Sequence, residues 1–202
     1  MSQINESNTV TKKEALAQAS TSSKVRLSTK EIAISGLLLA LAFILSNIKL
    51  MPLAAGGSIA MISMIFVSLI GYWFGAKVGL IAALAYGFLQ LALGGYVIHP
   101  VQMLFDYPIA FMCLGFSGLF RNKKHGLAIG FLVGNILKYL CHVFTGVVFF
   151  SEAGASLSAS LSYSLVYNAY VVPEVIITLI LIPILLPVIY RLKITTLDNS
   201  QA

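Results

Sequence analysis

Residues 127–149 read LAIGFLVGNILKYLCHVFTGVVF, and this stretch decides the fold class of the chain. Lys138 is the only Lys, Arg, Asp or Glu in it, and His142 is its only histidine. A helix needs about 20 mainly apolar residues to cross the hydrocarbon core of a bilayer. The stretch therefore predicts one membrane-spanning helix with two polar side chains inside the membrane.

Five further apolar segments surround this one and predict an all-α membrane protein, a bundle of six transmembrane helices. The 202 residues are 58% hydrophobic and only 10% charged, whereas soluble domains carry about 25% charged residues. This composition excludes a soluble globule and a disordered chain. Pro173, Pro183 and Pro187 predict a kink or tilt in the last segment. The five segments lie near 31–49, 57–74, 77–95, 101–119 and 161–190.

The charge distribution predicts the topology and the domain organisation. Residues 1–30 are polar and are interpreted as a flexible cytoplasmic tail, since a signal peptide needs an apolar run near its start. Residues 31–193 form the membrane domain, and 194–202 a short cytoplasmic tail. With both termini in the cytoplasm, eleven of the thirteen Lys and Arg lie inside and Lys49 alone lies in an outer loop. The net charge of +6 is thus a topological bias of a multi-pass plasma-membrane protein, and nucleic acid is excluded as a partner.

Four ionisable residues in the predicted spans mark a functional site, because charge is costly inside a bilayer. They are Asp106, Lys138, His142 and Glu174. In the predicted topology Asp106 and His142 lie in the outer halves of spans four and five, and Lys138 lies one turn deeper than His142 on the same helix face. Two other interpretations stay open: a structural ion pair between Lys138 and Glu174, and a relay of all four residues in a self-sufficient proton-coupled carrier.

Aromatic side chains lie at the level of these polar groups or in the flanking loops. A carboxylate with several ring faces around it suits a flat organic cation, through Coulomb attraction and cation–π contact. A histidine and an asparagine add directional hydrogen bonds to a heteroaromatic ring. Each aromatic residue by itself also fits the ordinary belt at a membrane interface. The aromatic residues are Tyr86, Tyr96, Tyr107, Phe150, Tyr163 and Tyr167.

Motifs for nucleotide or hydrolytic chemistry are missing from the sequence. There is no G-x-x-x-x-G-K-[ST] loop for ATP, no G-x-S-x-G elbow and no H-E-x-x-H helix. Cys113 and Cys141 fall in apolar runs without metal-ligand or redox spacing. The chain is therefore expected to be no enzyme and to bind no metal or cofactor.

Four stretches carry a resemblance to a known family: 31–44, 106–121 (DYP through GFSGLFR), 137–151 (LKYLCH through FFS) and 163–168 (YSLVYN). The chain resembles the substrate-binding (S) components of energy-coupling factor (ECF) transporters, and within them the thiamine-specific family. The last three stretches, in this order and spacing, are specific to the thiamine family, whereas the first is general to S components.

The resemblance implies a helix bundle in a bacterial plasma membrane that binds thiamine with high affinity near the outer face. It implies a separate ECF module as partner, made of a transmembrane scaffold subunit and two cytoplasmic ATPases. Those partners would hydrolyse ATP, and this chain would bind no cofactor. Gly36 and Ala40, a small-residue strip on span one, would dock the scaffold.

Residue by residue, the resemblance implies one substrate-binding set. Asp106 stands where the family usually has Glu, so the charge is kept and the reach is one carbon shorter. Phe150 and Tyr86 replace tryptophans of a close relative, and the tryptophan of the first outer loop is replaced by residues 56–58 (GGS). These departures leave a related vitamin or a pyrimidine precursor as an alternative ligand. The set is Asp106, His142, Tyr163, Asn168, Tyr96, Tyr107, Tyr86 and Phe150.

Overall fold

The computed structural model describes residues 28–52, 58–60 and 62–197. Within these ranges the chain forms seven helices and one two-stranded antiparallel sheet, whose strands β1 and β2 are Lys49–Pro52 and Ser58–Ala60. The helices are α1 (Thr29–Ser46), α2 (Met64–Phe74), α3 (Ala76–Gly94), α4 (Pro100–Phe120), α5 (Gly126–Phe149), α6 (Leu157–Asn168) and α7 (Val171–Leu197).

Five of these helices, α1, α3, α4, α5 and α7, are long and apolar enough to cross a membrane. The shorter α2 is apolar as well, and nine of its 11 residues are buried between its neighbours. The predicted all-helical membrane fold is therefore confirmed, with a small hairpin added to it.

The predicted first span is too long by one turn, and side-chain hydrogen bonds account for its end. Ser46 Oγ and Asn47 Nδ2 both donate to the carbonyl of Phe43, at 2.7 and 2.8 Å. These donors satisfy a carbonyl of the last turn, and the chain then leaves the helix for β1. At the other end, Ser28 and Glu31 form a reciprocal capping box that starts α1. The predicted tail up to residue 27 lies outside the described residues, as do 198–202.

The predicted second span, 57–74, is also wrong in its first half. Residues Ser58–Ala60 pair with β1 instead of continuing a helix, and the register runs from Lys49 opposite Ala60 to Pro52 opposite Ser58. Helix α2 begins only at Met64. Residues 56 and 57, part of the predicted loop departure, lie outside the described ranges.

The predicted last span, 161–190, is two helices rather than one. Helix α6 begins after Ser156, whose Oγ accepts from the backbone N–H of Ala159 at 3.3 Å, and it ends at Asn168. Helix α7 starts afresh at Val171, with Pro173 in its first turn. Proline lacks a backbone N–H and is tolerated in a first helical turn, so Pro173 favours a new start at this point.

Helix α4 changes its winding where the ionisable Asp106 lies. A π turn covers Phe105–Ile109 and includes Pro108, and the segment Cys113–Phe120 is wound as a 3₁₀ helix. Single π turns inside α-helices often occur at functional sites. Helix α3 approaches this turn closely, because a Cβ on Gly87 would lie 2.7 Å from the backbone of Pro108.

Small residues draw the helices together on the other side of α4. Ser117 Oγ donates to the carbonyl of Ser68 on α2 at 2.5 Å, and a Cβ on Gly130 of α5 would lie 2.6 Å from Ser117 Cα. Such contacts hold the second half of α4 between α2 and α5. The first half of α4 is left to face α5 and α6 across a cavity.

Candidate functional site

A cavity of about 360 Å³ lies between α4, α5 and α6. Its volume is in the range of small-molecule sites, about 300–1,000 Å³. The loops 95–99 and 150–156 lie at the same end of the bundle, and each contributes an aromatic residue to the lining. The lining residues are Tyr96, Gln102, Asp106, Tyr107, Phe111, Lys138, His142, Thr145, Gly146, Phe150, Tyr163, Ser164, Tyr167, Asn168 and Tyr170.

Asp106 and His142 form the polar centre of this cavity. His142 Nδ1 lies 3.1 Å from Asp106 Oδ1, and the two side chains are only 11% and 14% exposed. Thr145 Oγ1 donates to the same oxygen, and Gln102 Nε2 donates to Oδ2 at 2.7 Å. These three side chains hold the carboxylate, and with it the negative charge, in one place.

The second ring nitrogen of His142 has a different environment. When Nδ1 carries the proton and donates to Asp106, Nε2 is an acceptor, and in the imidazolium form it becomes a donor. Nε2 is buried and has no hydrogen-bond partner within the described part of the chain. Since His142 lines the cavity, this nitrogen is available to a molecule that enters there.

Lys138 lies one turn before His142 on α5 and also lines the cavity. Its side chain is 4% exposed, and Nζ sits 4.8 Å from the centre of the Phe111 ring. The predicted ion pair with Glu174 is not formed as a direct contact: among the described residues the one pair within 4 Å is His142 with Asp106. Glu174 instead accepts from Ser63 Oγ at 3.4 Å, because the start of α7 packs against the residue before α2.

Helix α6 closes the cavity on the side opposite α4. Asn168 Nδ2 donates to the carbonyls of Ser164 at 3.0 Å and of His142 at 3.4 Å, so this side chain fastens α6 to α5. A Cβ on Gly146 would overlap Ser164 Oγ, which means that only glycine permits this approach. Tyr163 is 54% exposed at the rim and stacks on Tyr167 at 5.9 Å.

The mouth of the cavity is built from aromatic residues whose backbone is anchored. Tyr96 donates its backbone N–H to Tyr107 Oη at 2.7 Å. The Tyr96 ring lies 6.3 Å from the Phe150 ring, across from the loop that follows α5. Ring faces thus cover the mouth while the charged pair lies deeper.

Comparison with known proteins identifies the family to which a chain with this arrangement belongs. The model of the family described as thiamine transporter protein (Thia_YuaJ) matches residues 32–194. The chain belongs to this thiamine transporter family. The helices that build the cavity all lie within the matched range, and the predicted family is confirmed.

The similarity of this chain to individual members of the family is given by sequence identity and by structural superposition. It is 36% identical to the thiamine transporter ThiT of Bacillus subtilis, in an alignment that covers 48% of this chain and 57% of the relative. For ThiT of Lacticaseibacillus paracasei the identity is 35%, over 34% of this chain and 42% of the relative. The chain thus spans about half the length of these curated relatives. The solved structure of ThiT from Listeria monocytogenes superposes with a TM-score of 0.65 at 25% identity, covering 81% of this chain and 96% of the other.

The structure brings seven of the eight predicted substrate-binding residues of this family member to one cavity. The exception is Tyr86, and the prediction that it lines the site is wrong. It is fully buried on α3, packs edge-on against Phe111 at 5.3 Å, and accepts from Gln90 Nε2 at 2.6 Å. Tyr86 therefore lies behind the cavity wall rather than on it. The remaining seven are Asp106, His142, Tyr163, Asn168, Tyr96, Tyr107 and Phe150.

The residues predicted to dock a partner lie on α1, outside the lining of the cavity. Gly36 on α1 has open space where a Cβ would point, and Ala40 follows one turn later. On the same helix Ile32, Leu37 and Ile44 are more than half exposed.

Sequence reasoning missed Gln102 and Thr145, which both donate to Asp106. A signal for each was present: Gln102 precedes Asp106 by four residues, and Thr145 follows His142 by three. Both spacings place side chains on one helix face. Burying a neutral polar side chain in a membrane costs less free energy than burying a charge, so neither residue was marked as a candidate site residue.

Proposed function

We propose that this family member is the substrate-binding subunit of a thiamine uptake system and captures the vitamin with high affinity at the outer face of the membrane. The observation that carries the proposal is the buried Asp106–His142 pair in an aromatic cavity. Thiamine joins a cationic thiazolium ring to an aminopyrimidine. A fixed carboxylate suits the cation, and the surrounding rings suit both ring faces.

The other polar groups of the cavity fit the aminopyrimidine. His142 Nε2 accepts from an amino group, and Lys138 Nζ donates to a ring nitrogen. Lys138 is already stabilised by the Phe111 ring at 4.8 Å. Tyr163 and Tyr167 supply stacked rings at the rim. A ligand with one cationic and one neutral ring thereby meets a carboxylate for its cation, and an acceptor and a donor for its neutral ring, in the same cavity.

We further propose that uptake depends on a separate ECF module, because no nucleotide-binding loop occurs in this sequence. In this scheme the chain has both termini in the cytoplasm, catalyses no reaction and holds no cofactor. ATP is hydrolysed by two cytoplasmic ATPases, and a transmembrane scaffold binds the small-residue strip of α1. Co-purification of the tagged chain with such subunits from its native membrane tests this part.

Calorimetric titration of the purified protein in detergent tests the ligand. Trp73 is the only tryptophan of the chain, and it is buried away from the cavity lining, so calorimetry is preferable to tryptophan fluorescence. Thiamine pyrophosphate and the free pyrimidine alcohol serve as competitors. Nanomolar binding of thiamine is the expected result. Tighter binding of the pyrimidine alcohol would assign the cavity to a precursor instead.

Reconstituted liposomes separate this function from that of a self-sufficient carrier. The expected result is thiamine binding without uptake when the chain is alone under a proton gradient. Uptake by the chain alone would overturn the proposed dependence on an ECF module.

A further inference from the structure

The side chain of Gln102 links the centre of the cavity to the loop at its mouth. It is 1% exposed. Its Nε2 donates to Asp106 Oδ2 at 2.7 Å and to the carbonyl of Tyr96 at 3.0 Å, and its Oε1 accepts from the backbone N–H of Ile98 at 3.1 Å. One amide therefore binds the carboxylate inside the cavity and two backbone groups of the 95–99 loop.

This loop carries the Tyr96 ring, and its backbone is held from both sides. Gln102 holds the Tyr96 carbonyl, and Tyr107 Oη accepts from the Tyr96 N–H at 2.7 Å. The ring itself is 65% exposed and lies 6.3 Å from the Phe150 ring. The position of the rings at the mouth thus depends on hydrogen bonds that begin at the charged centre.

The amide of Gln102 has the hydrogen-bond donors and the acceptor that this position requires. Asp106 and the Tyr96 carbonyl both require a donor, and the Ile98 N–H requires an acceptor. A glutamine amide offers two donor hydrogens and one acceptor oxygen. Neither a carboxylate nor an apolar side chain of the same length can satisfy all three.

We propose that Gln102 is a positioning residue of the binding site, which fixes the Asp106 carboxylate and the Tyr96 loop relative to one another. The inference rests on the proposed binding of thiamine. When the carboxylate interacts with a bound ligand, the same amide holds the loop over the mouth of the cavity. Gln102 thereby affects the affinity for the ligand through Asp106 and the rate of ligand release through Tyr96.

The test is a double-mutant cycle of Gln102→Met and Asp106→Asn, with thiamine binding measured by calorimetry. Methionine keeps the length and removes the hydrogen bonds. Losing a hydrogen bond to a charged group predicts about a 10- to 100-fold weaker affinity for Gln102→Met. If Gln102 acts through Asp106, the loss of affinity in the double variant is smaller than the product of the two single losses by at least about threefold. Fully additive losses would mean that Gln102 does not act through Asp106, and would overturn the proposal.

Dissociation kinetics give a second readout. Release of labelled thiamine from Gln102→Met should be faster than from the wild type, by about the part of the affinity loss that persists in the Asp106→Asn background, because the loop is no longer held. An unchanged release rate overturns the role at the mouth. Gln90→Met is the matched control: Gln90 also bonds through Nε2, to Ser46 and Tyr86, but lies outside the cavity lining. Its affinity for thiamine should stay within about twofold of the wild type.

Gln102→Glu covers the case in which the methionine variant does not fold. Glutamate has the same size and keeps the acceptor for Ile98, but it sets a second carboxylate against Asp106. Its thiamine affinity should fall further than that of Gln102→Met, and wild-type affinity would overturn the proposal. If the wild-type chain itself binds no thiamine, the proposed function fails. If only the Gln102 variants behave like wild type, this inference alone fails.

Discussion

Asp106→Asn is the sharpest perturbation of the proposed site, because it removes a charge and keeps the shape. Three side chains contact the carboxylate, namely His142, Thr145 and Gln102. An asparagine retains one acceptor oxygen but turns an amide NH₂ towards one of these donors. The variant thus loses the charge and at least one hydrogen bond.

The size of the effect follows from these contacts. Hydrogen bonds to charged groups contribute about 1.5–3 kcal/mol, against about 0.5–1.5 kcal/mol for neutral pairs. A cation about 5 Å away gains about 3 kcal/mol at an effective dielectric constant of about 20. Desolvation of the cation offsets part of this gain. We expect a net loss of about 1.5–3 kcal/mol, or about 10- to 150-fold in the Kd for thiamine.

The assay is calorimetry on the purified variant, after thermal unfolding has shown that it is folded. The uncharged pyrimidine alcohol is measured beside thiamine and should lose much less affinity, since it has no cation to pair. Glu152→Gln is the matched control, because it removes one carboxylate from an exposed loop outside the cavity lining. Unchanged thiamine affinity in Asp106→Asn, or equal losses for both ligands, would refute the charge-pairing role.

Three further variants test other parts of the structure. His142→Phe keeps a ring but removes the buried Nε2, and calorimetry should show at least a tenfold (about 1.4 kcal/mol) weaker binding of thiamine. Gly146→Leu should push α6 away from α5, since even a Cβ would overlap Ser164 Oγ. We expect thermal unfolding to show a loss of about 1–3 kcal/mol in stability, and calorimetry to show no binding of thiamine. The control Val148→Leu, on an exposed face of α5, should change neither the stability nor the binding. Gly36→Leu faces open space and should leave binding intact while lowering thiamine uptake in cells that contain the ECF module; equal uptake would contradict docking through α1.

The spans of this fold were predictable because membrane insertion depends on a local property, the length of an apolar run. Residues 127–149 were placed to within one residue of α5 for this reason. The division of the last segment was not predictable in the same way. Only residues 169–170 separate α6 from α7, and this separation depends on how α6 packs against Gly146 and on the fresh helix start at Pro173.

The ionisable residues of the site were predictable from the sequence. Asp106, Lys138 and His142 all line the cavity, and they could be found because ionisable groups are rare in membrane spans. Tyr86 was misplaced because depth along a helix says nothing about rotation around its axis. Its ring is fully buried against the edge of Phe111 and does not line the cavity.

Under the proposed function, the short reach of Asp106 changes which atom of the site meets the ligand. A glutamate at this position could extend one carbon further into the cavity, whereas the aspartate here is held back by His142 and Thr145 on one oxygen and by Gln102 on the other. In the proposed mode of binding its charge acts on the ligand across His142, whose Nε2 is a buried polar atom without a partner in the described part of the chain. The carboxylate fixes the ring and its proton on Nδ1, and the ring presents Nε2. Asp106→Glu should therefore disturb His142 rather than restore a longer reach, and its thiamine affinity should fall in calorimetry; tighter binding would show that the carboxylate itself is the contact atom.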